Sequence, residues 1–324
     1  MSLLEVEDLR VSLPAGGRQL TIVDGVDYRV EPGEVFGVAG ESGSGKTVSM
    51  LALLGLLPEG AQVGGRVRFD GRELLRMPRR RLREIAGRDV AMVFQDPFTS
   101  LHPMLSIGKQ LTEHVRRHLG LDRRRAEERA LELLREVRIP DGHAAMHAYP
   151  HQFSGGMRQR IAIAVALACR PKLLIADEPT TALDVTVQAG ILHLLDRLRR
   201  ENELAIVLIT HDLGVMSAVA DRVSIFYAGR VVESGPREDV LRSPRHPYTR
   251  ALLDALPHPE AVRDQPLVAI GGAPPTPGAI PAGCAFHPRC AFAVESCVGE
   301  VPPLAAAGDR LLACPVDPFA PAAS

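Results

Sequence analysis

An apolar stretch at residues 35–39 runs directly into Gly40-Glu41-Ser42-Gly43-Ser44-Gly45-Lys46-Thr47, and a helix-forming run follows. This strand–loop–helix string restricts the fold more than any other part of the chain, because its spacing, G-x-x-x-x-G-K-[ST], is that of a phosphate loop. Its glycines let successive backbone N–H groups turn toward a phosphate, and the helix behind directs its positive end at the same anion. The spacing predicts Lys46 on the β and γ phosphates of a nucleotide and the Thr47 hydroxyl on Mg²⁺. A flexible Gly/Ser turn is the plain alternative, and the strand before and helix after argue against it.

The rest of the sequence supplies the sheet that such a loop needs. Apolar or β-branched segments recur at 3–6, 35–39, 67–69, 90–94, 173–176, 205–210 and 223–226, with helical stretches between the middle ones. That order predicts an α/β fold with parallel central strands, while the early strands, joined by short Pro/Gly turns, read as antiparallel. Between 96 and 160 the pattern becomes helical and charged; Ala126, Ala130, Leu133, Leu134 and Val137 mark an amphipathic helix in an inserted subdomain. Prolines become dense from Pro236 onward, which predicts a loop-rich C-terminal extension over 236–324 after a main domain of 1–235.

With 324 residues, 46% of them hydrophobic, the chain can bury a full core. Its 38 basic and 39 acidic residues leave a net charge of -1, so no overall field points to nucleic acid. The longest apolar runs, 161–169 and 204–210, are well short of the roughly 20 residues of a spanning helix. The start, Met-Ser-Leu-Leu-Glu-Val-Glu-Asp, lacks the basic and apolar regions of an export signal, so a cytosolic chain with few or no disulfides is expected.

Two further strings carry chemistry. Lys172-Leu-Leu-Ile-Ala-Asp177-Glu178 is a strand ending in two acids, whose burial would be costly without a cation that Mg²⁺ can supply. Asp177 suits the metal's outer sphere and Glu178 the general base on an attacking water; taken alone, the pair could simply end a strand. Phe153-Ser154-Gly155-Gly156-Met157-Arg158-Gln159-Arg160 opens a helical run, which reads either as an N-cap or as a second anion site of one hydroxyl and bare glycine amides. The sequence shows no second phosphate for it.

In order and spacing these strings resemble the nucleotide-binding subunit of an ATP-binding-cassette transporter, over about residues 1–235. The resemblance implies a P-loop NTPase (RecA-like) core with an antiparallel β subdomain and an inserted helical subdomain. It implies Mg-ATP hydrolysis, and it gives the spare anion site a role: Ser154, Gly155, Gly156 and Met157 would close over the ATP of a second cassette. Gln95, after the strand 90–94, resembles the glutamine that touches Mg²⁺ and the attacking water. Thr181-Ala-Leu-Asp184 resembles the loop whose Asp184 crosses the dimer interface, and His211 resembles the switch histidine on the γ-phosphate. Where the family usually stacks adenine on an aromatic ring, this chain has Leu13, so apolar base contacts helped by Val23 are expected.

The strings Gln95-Asp-Pro-Phe-Thr-Ser-Leu-His-Pro-Met and His246-Pro-Tyr-Thr-Arg-Ala-Leu-Leu, with Met157 ending the signature, are similar to the ATPase subunits of dipeptide and oligopeptide importers. That resemblance implies a second, different ATPase subunit, two transmembrane permease subunits and, indirectly, an extracytoplasmic substrate-binding protein, with no nucleic acid. The chain would lie peripherally on the cytoplasmic face of the inner membrane. Cys284, Cys290, Cys297 and Cys314, spaced x5, x6 and x16, favour a metal over disulfides in a cytosolic chain. They lack the paired spacing of a zinc ribbon. Resemblance around Cys284-Ala-Phe-His-Pro-Arg-Cys290 implies a [4Fe-4S] cluster; zinc and free thiols are the alternatives, and Cys169 reads as core. His143, His147 and His151 have helical spacing, but Pro150 interrupts it and solvated rings are expected. The runs Arg79–Arg81 and Arg123–Arg125 read as solvated faces or as contacts to lipid headgroups. The rival functions are a soluble cassette ATPase uncoupled from transport and a binding-only regulator whose extension senses iron or redox state.

Overall fold

The computed structural model describes residues 2–96, 100–181, 183–256 and 269–320. Its strands are β1 (Leu4–Ala15), β2 (Arg18–Val30), β3 (Val35–Ala39), β4 (Gln62–Phe69), β5 (Arg72–Glu73), β6 (Val90–Val93), β7 (Leu173–Asp177), β8 (Ala205–Ile209), β9 (Arg222–Tyr227), β10 (Arg230–Pro236), β11 (Ala305–Ala306) and β12 (Leu311–Leu312). The helices are α1 (Lys46–Leu53), α2 (Arg79–Ile85), α3 (Ile107–Leu119), α4 (Arg123–Glu136), α5 (Gly142–His147), α6 (Gly155–Ala166), α7 (Val185–Asn202), α8 (Leu213–Val219), α9 (Arg237–Arg242), α10 (Pro247–Asp254) and α11 (Ser296–Gly299). Two compact units divide them: Met1–Leu3, Val30–Val35 and Arg76–Ile209 form one, and Leu4–Arg29, Phe36–Leu75 and Thr210–Ser324 the other.

In the first unit β6, β7 and β8 pair in parallel, with Val90 opposite Leu173 and Leu173 opposite Ala205. Every residue of β7 and β8 is buried, which is why both read as unbroken apolar runs and not as alternation. The helical segment follows its local signals. Asp122 accepts from Arg125 N–H at the start of α4, and Ala126, Ala130, Leu133 and Leu134 are buried along one face. The opposite face carries exposed pairs, Arg123 with Glu127 and Arg124 with Glu128, which matches the solvated reading of that run. α5 ends at His147 and Pro150 opens a separate turn, so the three histidines do not share a helix.

In the second unit β2, β1, β4 and β5 form an antiparallel sheet in that order, with a register shift between Glu7 and Arg10 where Asp8 takes φ 48°. β3 pairs in parallel with β9, β9 antiparallel with β10, and β10 antiparallel with β12, which pairs with β11. The sequence reading missed β2 and β10, whose polar residues obscure the strand pattern, and it missed that 236–324 adds β11 and β12 to the sheet edge. Glu233 on β10 has no exposed side-chain surface; it accepts from Arg310 Nη1 at 3.0 Å and from the amides of Arg245 at 2.9 Å and His246 at 3.0 Å. This satisfied buried carboxylate fastens the extension to its own unit.

Candidate functional site

In the second unit, the buried strand β3 delivers the chain to the loop, and Gly40 turns it. Its φ is 147°, and a Cβ there would stand 2.2 Å from the Phe226 carbonyl oxygen, so no side chain fits. Gly45 occupies the cap of α1 in a left-handed conformation with no side-chain cap, leaving that helix end to a ligand. Lys46, 6% exposed, donates to the carbonyls of Gly40 at 2.7 Å and Glu41 at 2.9 Å, curling over the loop it belongs to. Ser44 N–H donates to Glu41 O, and Ser44 O accepts from Gly229 N–H at 3.0 Å, bracing the loop on the β9–β10 turn. Ser42 and Gly43 are exposed at its crest and Thr47 opens α1. Val23 is fully buried, with its side chain beside Gly45, while Leu13 on β1 is half-buried. His211 is exposed between β8 and α8, held by neighbours: Thr210 N–H donates to Val38 O, and Asp212 caps α8 through the amides of Gly214 and Val215.

In the first unit, Asp177 is the last residue of β7 and is 4% exposed. Glu178 then adopts φ 46°, a left-handed backbone that a long side chain rarely takes, with its amide fixed on Ile209 O at 2.8 Å. That turn aims its carboxylate at Gln95: Gln95 Nε2 donates to Glu178 Oε2 at 2.9 Å, and Thr181 Oγ1 donates to the same oxygen at 2.9 Å. The structure thus brings Gln95 and Glu178 together across 83 residues of sequence. It also shows a role for Thr181 in holding the acid. Ala182 and residues 97–99 lie outside the described residues.

Ser154 does act as an N-cap, its Oγ accepting from Met157 N–H at 3.3 Å. The two glycines after it serve close packing as well. A Cβ on Gly156 would lie 2.5 Å from Val187 Cγ1, and one on Gly155 3.6 Å from Leu183 Cδ2. Asp184 caps α7 by accepting from Val187 N–H at 2.9 Å. The signature and the Asp184 loop therefore form one contiguous surface.

Cys284, Cys290, Cys297 and Cys314 line a single small pocket with His246, Phe286 and Phe292. Burial pushes the thiol pKa of Cys284, Cys290 and Cys314 up, and backbone amides offset this: Phe292 N–H reaches Cys290 Sγ at 3.4 Å, Asp317 N–H reaches Cys314 Sγ at 3.3 Å, and the Phe286 amide reaches Cys284. Among the described residues no three His, Cys, Asp or Glu side chains are grouped to hold one metal ion. Cys169 is buried, with its thiol pushed up to about 11 by burial, as a core residue should be. Arg79 and Arg80 line a basic cleft with Arg83, Arg88, Arg117 and His118. Among the described residues no helix is long and apolar enough to cross a membrane.

Comparison with known proteins defines the class. A family model described as ABC transporter matches residues 23–181. A dimeric ATP-binding cassette solved in a post-hydrolysis state with ADP and Pi is 26% identical with a TM-score of 0.65, covering 72% of this chain and 98% of that one. A model described as an AAA domain, putative AbiEii toxin, also matches residues 146–217. The fold is that of an ATP-binding-cassette ATPase. A second model, the oligopeptide/dipeptide transporter C-terminal region, matches residues 232–297. The oligopeptide transport ATP-binding protein OppD of Salmonella typhimurium is 47% identical over 96% of this chain and 93% of its own length, and a putative peptide import ATP-binding protein of Brucella abortus is 48% identical over 97% and 94%. The chain belongs to the family of ATP-binding subunits of oligopeptide and dipeptide transporters. Sequence reasoning missed that Thr181 holds the Glu178 carboxylate, although its string was named for Asp184.

Proposed function

We propose that this chain is the ATP-hydrolysing motor of a peptide importer. The observation that carries the reading is the Glu178 carboxylate, held by Gln95 and Thr181 in a chain whose phosphate loop keeps every residue of its pattern. In this reading Lys46 would turn from the loop carbonyls to the β and γ phosphates, Thr47 and Gln95 are the residues that would hold Mg²⁺, and Asp177 would serve its outer sphere. The metal supplies positive charge against the phosphates. Glu178 takes a proton from water as the water oxygen bonds to the γ-phosphorus and the bond to the β-phosphate oxygen breaks, while His211 contacts the γ-phosphate. Leu13, half-buried on β1, is read as the apolar contact for the base, while Val23, fully buried beside Gly45, backs the loop. Ser154, Gly155, Gly156 and Asp184 act on the nucleotide of a second, different ATPase subunit, so that two subunits share two sites. Two permease subunits follow their closure at the cytoplasmic face of the inner membrane, and a substrate-binding protein delivers peptide from outside.

The four cysteines are read as ligands of a [4Fe-4S] cluster with a structural role. Their convergence on one pocket and the amide donors at three sulfurs support this, since N–H···S bonds are a feature of such sites. An anaerobic absorption spectrum with iron and sulfide analysis tests the assignment; a colourless, zinc-loaded chain overturns it. Co-purification of the chain with membrane permeases and ATP-dependent peptide uptake test the transport reading, which ribosome or DNA association would defeat.

A further inference from the structure

Glu41, the first residue after Gly40 in the phosphate loop, is gripped from two sides by the C-terminal extension, all within the second unit. Its carboxylate oxygens accept from Arg289 Nη1 at 2.7 Å and Nη2 at 3.0 Å, a bidentate pair in which the Arg289 side chain is 5% exposed. Arg289 is itself fixed. Its Nε donates to Gly271 O at 2.8 Å, Nη1 also reaches the Tyr227 hydroxyl at 3.2 Å, and the guanidinium lies 5.8 Å from the ring centres of both Tyr227 and Phe286. From the other side, the Glu41 amide donates to the hydroxyl of Tyr248 at 2.8 Å. Tyr248 is fully buried, packed on Tyr227 at 4.5 Å and Phe286 at 5.3 Å, and its own amide donates to His246 Nδ1. The His246-Pro-Tyr248 string and the Cys284–Cys290 string thus end on one loop residue. The carbonyl of that residue accepts from Lys46 Nζ.

We propose that Arg289 and Tyr248 are positioning residues for nucleotide binding: by clamping both the carboxylate and the amide of Glu41 they hold the phosphate loop in its binding conformation, and the extension is thereby part of the ATP site. Without this clamp Glu41 and the exposed crest at Ser42 and Gly43 would have to be ordered by the nucleotide itself. Fixing one residue's backbone costs an amount of the size of a roughly tenfold change in affinity.

Mg-ATP dissociation constants of the full chain, from titration with a fluorescent ATP analogue competed by ATP, test the proposal. Arg289→Gln, Glu41→Gln and Tyr248→Phe each weaken binding roughly tenfold, the Arg289→Gln/Glu41→Gln double variant binds no more weakly than the worse single, and Arg289→Lys recovers part of the loss. KM for ATP rises in step, with kcat changing far less. Additive losses in the double variant, or affinities of Glu41→Gln and Tyr248→Phe within about twofold of the parent, overturn it and leave Arg289 a merely structural residue of the extension. Where Arg289→Gln does not fold, Glu41→Gln and Tyr248→Phe decide alone, since both keep the arginine. The inference rests on the loop holding ATP: a parent chain that binds no ATP refutes that reading, whereas parent binding with unaffected variants refutes only the clamp.

Discussion

Replacing Glu178 by Gln separates catalysis from binding. The amide oxygen of glutamine can still accept from Gln95 Nε2 and Thr181 Oγ1, both now 2.9 Å from Glu178 Oε2, and the φ of 46° is no harder for Gln than for Glu. Local geometry therefore survives, and what is lost is the basic carboxylate. A positioned general base contributes about 10²–10⁴-fold, or roughly 3–5 kcal/mol of barrier at about 1.36 kcal/mol per decade. Phosphate release at saturating Mg-ATP should fall by that factor while the dissociation constant for ATP stays within about threefold, so that ATP-bound dimers accumulate and are seen by light scattering. Turnover within about threefold of the parent would refute the role of Glu178 and favour a regulator that only binds. A loss confined to affinity would place Glu178 in binding and not in chemistry.

Lys46→Ala should weaken Mg-ATP binding about 10–100-fold, the size of one or two charge-assisted hydrogen bonds, as measured by calorimetry. Arg310→Met removes the guanidinium ion-paired with Glu233 and leaves that carboxylate its two amide donors; urea unfolding should show a loss of about 3 kcal/mol, the lower end for breaking a buried pair. Burial holds the pKa of His114 below the usual imidazole value, and burial followed by the charges of His114, Arg117 and Arg88 does the same for His118. Both rings are harder to protonate folded than unfolded, so their contribution to stability is intact above about pH 6.5 and shrinks as pH falls below it. His118→Gln should flatten the acid side of a plot of urea midpoint against pH; an unchanged slope would contradict that.

What was legible in the sequence is what short-range physics dictates. β7 and β8 are buried on both faces and so are spelled as apolar runs, the phosphate loop must place glycine where a Cβ would meet Phe226 O, and α4 announces itself by Asp122 and its 3.6-residue stripe. β2 and β10 were obscured because Asp24, Asp27 and Glu233 interrupt the pattern, and Glu233 is buried only because Arg310, far along the chain, completes it. β11 and β12 are two residues each, too short for any periodicity. In the site, Gln95, Glu178 and the Asp184 loop could be named from their order, but the left-handed backbone of Glu178 could not. Nor could the clamp on Glu41, whose partners lie 207 and 248 residues away.

The central claim, that this chain's ATP hydrolysis drives peptide import, is tested most directly in proteoliposomes holding the chain with its permease subunits, the second ATPase and a peptide-loaded substrate-binding protein. Peptide uptake and phosphate release should rise together when peptide is supplied, and Glu178→Gln should stop the uptake. Hydrolysis that is indifferent to peptide and to the membrane subunits, with no uptake, would contradict it.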